Sequence, residues 1–266
     1  MKIAFLGPEG TFTQSAVLKQ FGKSIHALSL SSIEEVFHEV EGGGADFGVV
    51  PVENSTEGTV TNTLDMFLTS SLKICGEVEL RIHQHLMGRM DDIGDIDRVC
   101  SHPQSLAQCR TWLAQSLPGI EVVPVSSNAE AARRSRDETG TAAIAGDAAA
   151  EAYELNTLCV NIEDHIDNTT RFLVIGYKLC TPSGDDKTSL LISASGTKGA
   201  GILYHLLAPL AQSDISMLRI QSRPSGRRKW DYVFFIDIDG HAEKKNISKA
   251  LQEIEVQASL FRILGA

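Results

Sequence analysis

Positive charge is scarce in this chain of 266 residues: 24 lysines and arginines stand against 34 aspartates and glutamates, a formal net charge of −10. That shortage argues against a nucleic-acid partner. No apolar run approaches the roughly 18 residues of a membrane span, so no membrane association is expected. Met1-Lys2 leads straight into a short strand, without the apolar region of a signal peptide, and a cytoplasmic location is the expectation. The five cysteines, Cys75, Cys100, Cys109, Cys159 and Cys180, are odd in number and show no CxxC spacing. That pattern fits a reducing compartment and excludes a disulfide scaffold or a zinc ribbon. Internal repeats and low-complexity segments are also missing, while the length suffices for two domains with substantial cores.

What is present alternates. From residue 1 to about 178, short apolar strands are separated by predicted helices over Thr13–Phe21, Ile33–Glu41, Glu57–Ser70, Pro103–Gln115, Ala129–Asp137 and Asp147–Tyr153. Ser32-Ile33-Glu34-Glu35 and Ser127-Asn128-Ala129-Glu130 read as capping boxes, and Gly42-Gly43-Gly44 as a helix stop. Alternation of this kind predicts α/β layers with a largely parallel sheet. The middle, about 80–160, opens with a strand pair around Leu80–Gly88, and the apolar run that follows Asn168 suits the sheet of the first part, so two lobes are expected. Thr181-Pro182-Ser183-Gly184-Asp185-Asp186 is a turn-rich linker. Beyond it the order is strand (Thr188–Ser195), helix (Gly201–Gln212), strand (Ile215–Ser222), strand (Trp230–Asp237), helix (Glu243–Glu255), strand (Val256–Leu264). This βαββαβ order is the ferredoxin-like arrangement.

Four segments share one construction, an apolar strand that stops and spills polar residues into a helix start. They are Ile3–Leu6 into Gly7-Pro8-Glu9-Gly10-Thr11-Phe12-Thr13, Val49–Val52 into Glu53-Asn54-Ser55-Thr56-Glu57-Gly58-Thr59, Arg98–Cys100 into Ser101-His102-Pro103-Gln104-Ser105, and Asn168-Thr169-Thr170-Arg171-Phe172 running into a strand. In open α/β sheets, ligands bind beyond the carboxyl ends of strands, where backbone N–H groups and helix dipoles favour anions. Strand alternation places Thr170 and Phe172 on one face and Arg171 on the other. Alone, the last segment reads as a strand end whose Arg171 pairs with Asp164 or Asp167. Gln104 and Gln108 share a helix face. His83 and His85, two apart on an expected strand, share a face but have no third ligand in view and read as structural. Cys100 reads as a small buried hydrophobe, and His102 is given no catalytic role.

GPEGTFT at 7–13, PVENSTEGTV at 51–60, SHPQSLAQC at 101–109 and NTTRF at 168–172 together resemble prephenate dehydratase. Lys187–Ile192, Gly201-Ile202-Leu203-Tyr204, Gln221-Ser222-Arg223-Pro224 and Trp230–Phe235 are similar to the ACT regulatory domain fused to that enzyme. The resemblance covers nearly the whole chain. It implies an α/β architecture: a two-lobed catalytic domain like a type II periplasmic-binding protein over 1–180 (lobes 1–78 with 162–180, and 79–161), then a ferredoxin-like ACT domain over 187–266. It implies conversion of prephenate to phenylpyruvate, carbon dioxide and water with neither cofactor nor metal.

The residues matching the family's motifs give the expected roles. Thr170, Arg171, Glu53 and Asn54 are the catalytic candidates, with Thr170 donating to the departing hydroxyl. Thr11, Ser55, Ser101, Gln104, Gln108, Thr169 and Phe172 are the substrate-binding candidates. The resemblance further implies L-phenylalanine as feedback inhibitor between paired subunits, in a homodimer or homotetramer, with Gly201, Ile202, Leu203 and the loop Gln221, Ser222, Arg223, Pro224 at the effector site. Gln221 stands where the family has Glu, and Ile202 where it has Ala, which bears on effector affinity. Arogenate dehydratase and a non-catalytic amino-acid sensor are the competing readings. The dehydratase-like motifs begin at residue 7, so a separate chorismate mutase is expected to supply prephenate.

Overall fold

The computed structural model describes residues 1–178, 180–193, 201–225 and 231–266. Ala194-Ser195, closing the predicted strand Thr188–Ser195, and Trp230, opening Trp230–Asp237, lie outside the described residues. The chain gathers into two compact units, Met1–Thr63 with Glu77–Val174, and Leu64–Gly76 with Ile175–Ala266.

The first stretch contains β1 (Lys2–Leu6), α1 (Phe12–Phe21), β2 (His26–Leu30), α2 (Ile33–Glu41), β3 (Phe47–Asn54), β4 (Gly58–Thr59), α3 (Thr61–Thr69) and β5 (Lys73–Arg81). There follow β6 (His85–Gly88), β7 (Arg98–Ser101), α4 (Pro103–Gln108), α5 (Arg110–Ser116), β8 (Glu121–Pro124), α6 (Asn128–Asp137), β9 (Thr141–Ala145), α7 (Asp147–Tyr153), β10 (Asn156–Cys159) and β11 (Thr169–Gly176). Two sheets result, β2-β1-β3-β11-β5 with β4 on β3, and β10-β6-β9-β7-β8. The chain leaves the first sheet after β5, builds the second, and returns as β11 between β3 and β5. This is the two-lobed, type II periplasmic-binding-protein-like arrangement.

Strand direction decides where the loops gather. β1 runs parallel to both β2 and β3, so Leu6 and Asn54 end at one edge of the first sheet. β7 runs parallel to β8 and β9, so Ser101, Pro124 and Ala145 end together in the second. The second sheet is apolar on both faces: Leu86, Val99, Ala142 and Ile144 pack one side, while Met87, Cys100, Ala143 and Ala145 pack the other. Successive residues go to opposite faces because the strand period is two. Cys100 thus packs as a core hydrophobe, and burial pushes its thiol pKa up.

The caps form as expected. Ser32 Oγ accepts from Glu35 N at 3.1 Å, and Ser127 Oγ from Glu130 N at 3.0 Å. The return half of the first box shifts by one residue, since Glu35 Oε2 accepts from Ser31 N at 2.9 Å.

Two predicted helices are broken. The span Glu57–Ser70 starts as the β3–β4 hairpin and becomes helical only at Thr61, because Asn54 Oδ1 ties down Thr56 N and Glu57 N, and Gly58 takes φ 82°. The span Pro103–Gln115 divides at Cys109. Its second half is capped by Asp164, whose carboxylate accepts from Thr111 N at 2.9 Å and Trp112 N at 3.1 Å.

The second unit contains β12 (Lys187–Ser193), α8 (Ile202–Gln212), β13 (Met217–Pro224), β14 (Tyr232–Asp239), α9 (Lys245–Gln257) and β15 (Leu260–Gly265). Its antiparallel sheet has the order β13-β14-β12-β15, the ferredoxin-like βαββαβ topology. Ile247, Ala250, Leu251 and Ile254 form one stripe of α9 against Leu190, Ile192, Ile236 and Ile238. Gln221–Pro224, expected in a loop, are instead the last residues of β13 and pair with Tyr232–Phe235 of β14. Residues 64–76 join this unit through cations: Arg223 grips Asp65 with Nε and Nη2, Arg262 Nη1 bonds Phe67 O, and Lys73 Nζ bonds Ile263 O.

Candidate active site

Asn54 closes β3, and its amide is oriented by the backbone. Oδ1 accepts from Thr56 N at 3.0 Å, Glu57 N at 3.1 Å and Thr56 Oγ1 at 2.6 Å. A backbone N–H can only donate, so Nδ2 must face the other way. It donates to Asn168 Oδ1 at 2.7 Å and to Thr170 Oγ1 at 2.8 Å. Thr170 therefore accepts from Asn54 and keeps its own proton for a third party. Asn168, itself 2% exposed, keeps its Nδ2, a buried atom with no partner among the described residues.

The second lobe repeats the device. Asn128 Oδ1 lies 3.3 Å from His102 N and accepts from Ser105 Oγ at 3.0 Å. Gln84 Nε2 donates to Ser105 Oγ at 3.2 Å and to Gln108 Oε1 at 3.1 Å. His102 caps α4 with Nδ1, which accepts from Gln104 N at 3.3 Å.

These groups line one cavity of about 370 Å³ between the two lobes of the first unit. Leu6, Phe12, Pro51, Ile82 and Phe172 supply apolar wall; Thr11, Asn54, Gln104, Gln108, Asn128 and Thr170 supply polar wall. Neither lysine nor arginine lines it among the described residues. Positive potential comes instead from amide N–H groups and from the first turns of α1 and α6, at Phe12-Thr13 and Asn128.

Of the residues picked from sequence, Thr170, Asn54, Thr11, Gln104, Gln108 and Phe172 line the cavity. Arg171 and Glu53 do not. Strand alternation turns Arg171 to the opposite face, where it meets Glu53 Oε2 at 3.1 Å and Glu77 Oε2 at 2.6 Å, not Asp164 or Asp167. Ser55 and Thr169 also miss the wall, because they are spent on each other: Ser55 N donates to Thr169 O and Thr169 N to Ser55 Oγ, fixing the start of β11 beside the end of β3. Ser101 is fully buried, 2.6 Å from Ile144 O and 3.1 Å from Asn128 Oδ1, and acts behind the wall.

Asn168, Gln84, Ser105, His102 and Asn128 line the cavity without having been assigned to it. Asn168 was legible, two residues before Thr170 on the same strand face. Gln84 was not: it sits in an irregular link, and its partners lie more than twenty residues away. The pair His83 and His85 stacks with ring centroids 6.4 Å apart, each ring by its own acid, Glu163 and Asp147. In the second unit, Gly201 takes φ 80° as the cap of α8, ahead of Ile202 and Leu203. Gln221 Nε2 donates to Ser222 O at 3.3 Å.

Residues 3–179 match the family model described as prephenate dehydratase, which spans both lobes and every cavity residue named above. The chain belongs to the prephenate dehydratase family. Enzymes of this family are carbon–oxygen lyases that couple dehydration to decarboxylation. The chain is 51% identical over 267 residues to the bifunctional chorismate mutase/prephenate dehydratase of Pseudomonas aeruginosa, covering all of itself and 73% of that relative. The prephenate dehydratase of Arthrobacter aurescens, solved in complex with L-Phe, superposes with a TM-score of 0.91 at 33% identity, covering 100% of this chain and 89% of that one. GqqA, described as a novel type of quorum quenching acylase, superposes with a TM-score of 0.90 at 28% identity, covering 100% and 96%. Fold alone therefore does not choose the chemistry. No helix of the described residues is long and apolar enough to cross a membrane.

Proposed function

We propose that the cavity binds prephenate and converts it to phenylpyruvate, carbon dioxide and water. The observation that carries this reading is the common polarity of the two amide relays. Asn54 Oδ1 on one lobe, and Asn128 Oδ1 and Gln108 Oε1 on the other, are consumed internally, and donor ends are left for a ligand, as an anionic substrate requires; Gln84 Oε1, buried behind the wall, is the exception. Neutral donors also suit a reaction in which one carboxylate must leave: a fixed cation there would stabilise the ground state as much as the transition state.

The bookkeeping of the reaction is simple. The bond from the ring to its carboxylate breaks, its electron pair enters the ring, and the bond to the ring hydroxyl breaks with it. One proton joins the departing hydroxide to give water. Thr170 is the group for that oxygen. A threonine hydroxyl is a weak acid, so its role is a strong hydrogen bond that meets charge as it develops, within a relay, worth on the order of 10²–10⁴-fold. Asn54 positions Thr170 and compels it to donate. Gln104 and Gln108 hold carboxylate and keto oxygens, Thr11, whose hydroxyl donates to Pro8 O at 2.9 Å, frames the near wall, and Phe172 lies under the ring. Arg171, Glu53, Ser55, Thr169 and Ser101 hold the wall residues in place from behind.

The catalytic domain in this reading is 1–180 and the regulatory domain 187–266, with L-phenylalanine as effector at Gly201–Leu203 and Gln221–Pro224, in a homodimer or homotetramer in the cytoplasm. The L-Phe complex of the Arthrobacter aurescens relative supports the effector. The test is phenylpyruvate formation from prephenate at mildly alkaline pH, with EDTA present and then with L-phenylalanine added. Turnover in EDTA that phenylalanine suppresses is expected. Well-folded protein that turns over arogenate but not prephenate would replace the substrate assignment, and no turnover of either would end it.

A further inference from the structure

Gln84 belongs to none of the four motifs, yet it is 1% exposed and lines the cavity. Its side chain reaches across to α4. The orientation of its amide follows from a chain of forced choices. His102 N is a donor, so Asn128 presents Oδ1 to it. Ser105 Oγ, facing the same Oδ1, must donate there and is left to accept. Gln84 Nε2 fills that role at 3.2 Å and, with its second hydrogen, reaches Gln108 Oε1 at 3.1 Å. The backbone of Gln84 is clamped on both sides, by Glu163 Oε2 accepting from its N–H and by Ile162 N donating to its carbonyl.

We infer that Gln84 is a positioning residue for the dehydratase reaction: it holds Gln108 with the amide oxygen turned inward, so that Gln108 presents N–H donors to a carboxylate of the substrate. Among the described residues Gln84 alone bonds the Gln108 amide, and without it the flipped rotamer would point an oxygen at an anion. Gln84 Oε1, buried and without a partner among the described residues, marks the side chain as built around its donor end. The inference rests on the dehydratase reading and specifies which end of Gln108 meets the substrate.

The test is steady-state kinetics with prephenate on the full chain, comparing Gln84→Met, Gln84→Glu, Gln108→Leu and the double variants. Gln84→Met keeps the shape and removes the donor. Gln84→Glu has oxygens that accept, so it turns the Gln108 amide round. A rise in KM of roughly ten- to hundred-fold is expected, larger for Gln84→Glu, with kcat less affected. In the Gln108→Leu background, either substitution at Gln84 should add less than two-fold. A merely structural residue would give the same loss in both backgrounds, and that result refutes the inference. So would Gln84 variants within two-fold of an active wild type. If Gln84→Met does not fold, the nearly isosteric Gln84→Glu carries the comparison. An inactive wild type would refute the dehydratase reading itself, and this inference with it.

Discussion

Thr170→Val is the perturbation that bears most directly on the proposed chemistry, because it changes one oxygen to a methyl at constant shape. Two free energies can be set against each other. In the folded protein, Thr170 Oγ1 is one of two acceptors for Asn54 Nδ2, and Asn168 Oδ1, at 2.7 Å, remains after the change. The loss of one net hydrogen bond in a half-buried place costs about 1 kcal/mol, or a fall of about 2–4 °C in Tm for a domain of this size. The transition state loses its donor to the departing oxygen, worth on the order of 10²–10⁴-fold in kcat, which is roughly 3–5 kcal/mol. The catalytic penalty thus exceeds the structural one severalfold, and the two separate cleanly in experiment. Differential scanning calorimetry measures the first and phenylpyruvate absorbance the second. Thr170→Ser keeps the hydroxyl and should retain most of the rate. Turnover by Thr170→Val within ten-fold of wild type would remove Thr170 from the mechanism. A Tm loss large enough to explain the lost rate would remove the relay.

Arg171→Met leaves Glu53 and Glu77 facing one another; a fully buried pair would cost roughly 3–5 kcal/mol, discounted here to about 1–3 because both carboxylates are partly exposed. Tm should fall by roughly 3–10 °C while the folded variant keeps kcat within a few-fold; a kcat loss above 100-fold at full folding would return Arg171 to the cavity chemistry. Gln221→Glu restores the family's acid and should lower the phenylalanine concentration for half-inhibition, read from inhibition curves; an unchanged curve would detach Gln221 from effector binding. Hydrogen bonds from Arg133, with Arg134 adding to them, hold the Glu130 carboxyl down at about 2. A depressed carboxylate stabilises the fold above its unfolded pKa of about 4.3, and that contribution fades as pH falls toward 2. Wild type and Glu130→Gln should therefore differ in Tm at pH 7 and converge near pH 2; a difference that persists at pH 2 would assign the effect to packing.

How much was legible without coordinates follows from the range of each interaction. Alternating apolar strands and capped helices are local, so the α/β succession, the βαββαβ tail and the boxes at Ser32 and Ser127 could be read directly. Strand period two predicted that Thr170 and Phe172 would share a wall and that Arg171 would face away from it. Local rules failed where a distant group intervened. The helix expected from Glu57 begins at Thr61 because Asn54 claims the N–H groups of the turn, and the helix expected over Pro103–Gln115 breaks where Asp164 caps its second half. Ser55, Thr169 and Ser101 carry the right chemistry in the right motifs, yet their hydroxyls or amides are consumed by neighbours across the sheets. The sequence by itself determined which residues gather at the carboxyl ends of the strands, since register and alternation follow from hydrophobic pattern. Only the tertiary structure decided which of their hydrogen-bonding ends remain for a ligand, because a donor or acceptor becomes available only after every closer partner has been satisfied, and those partners lie up to 116 residues away.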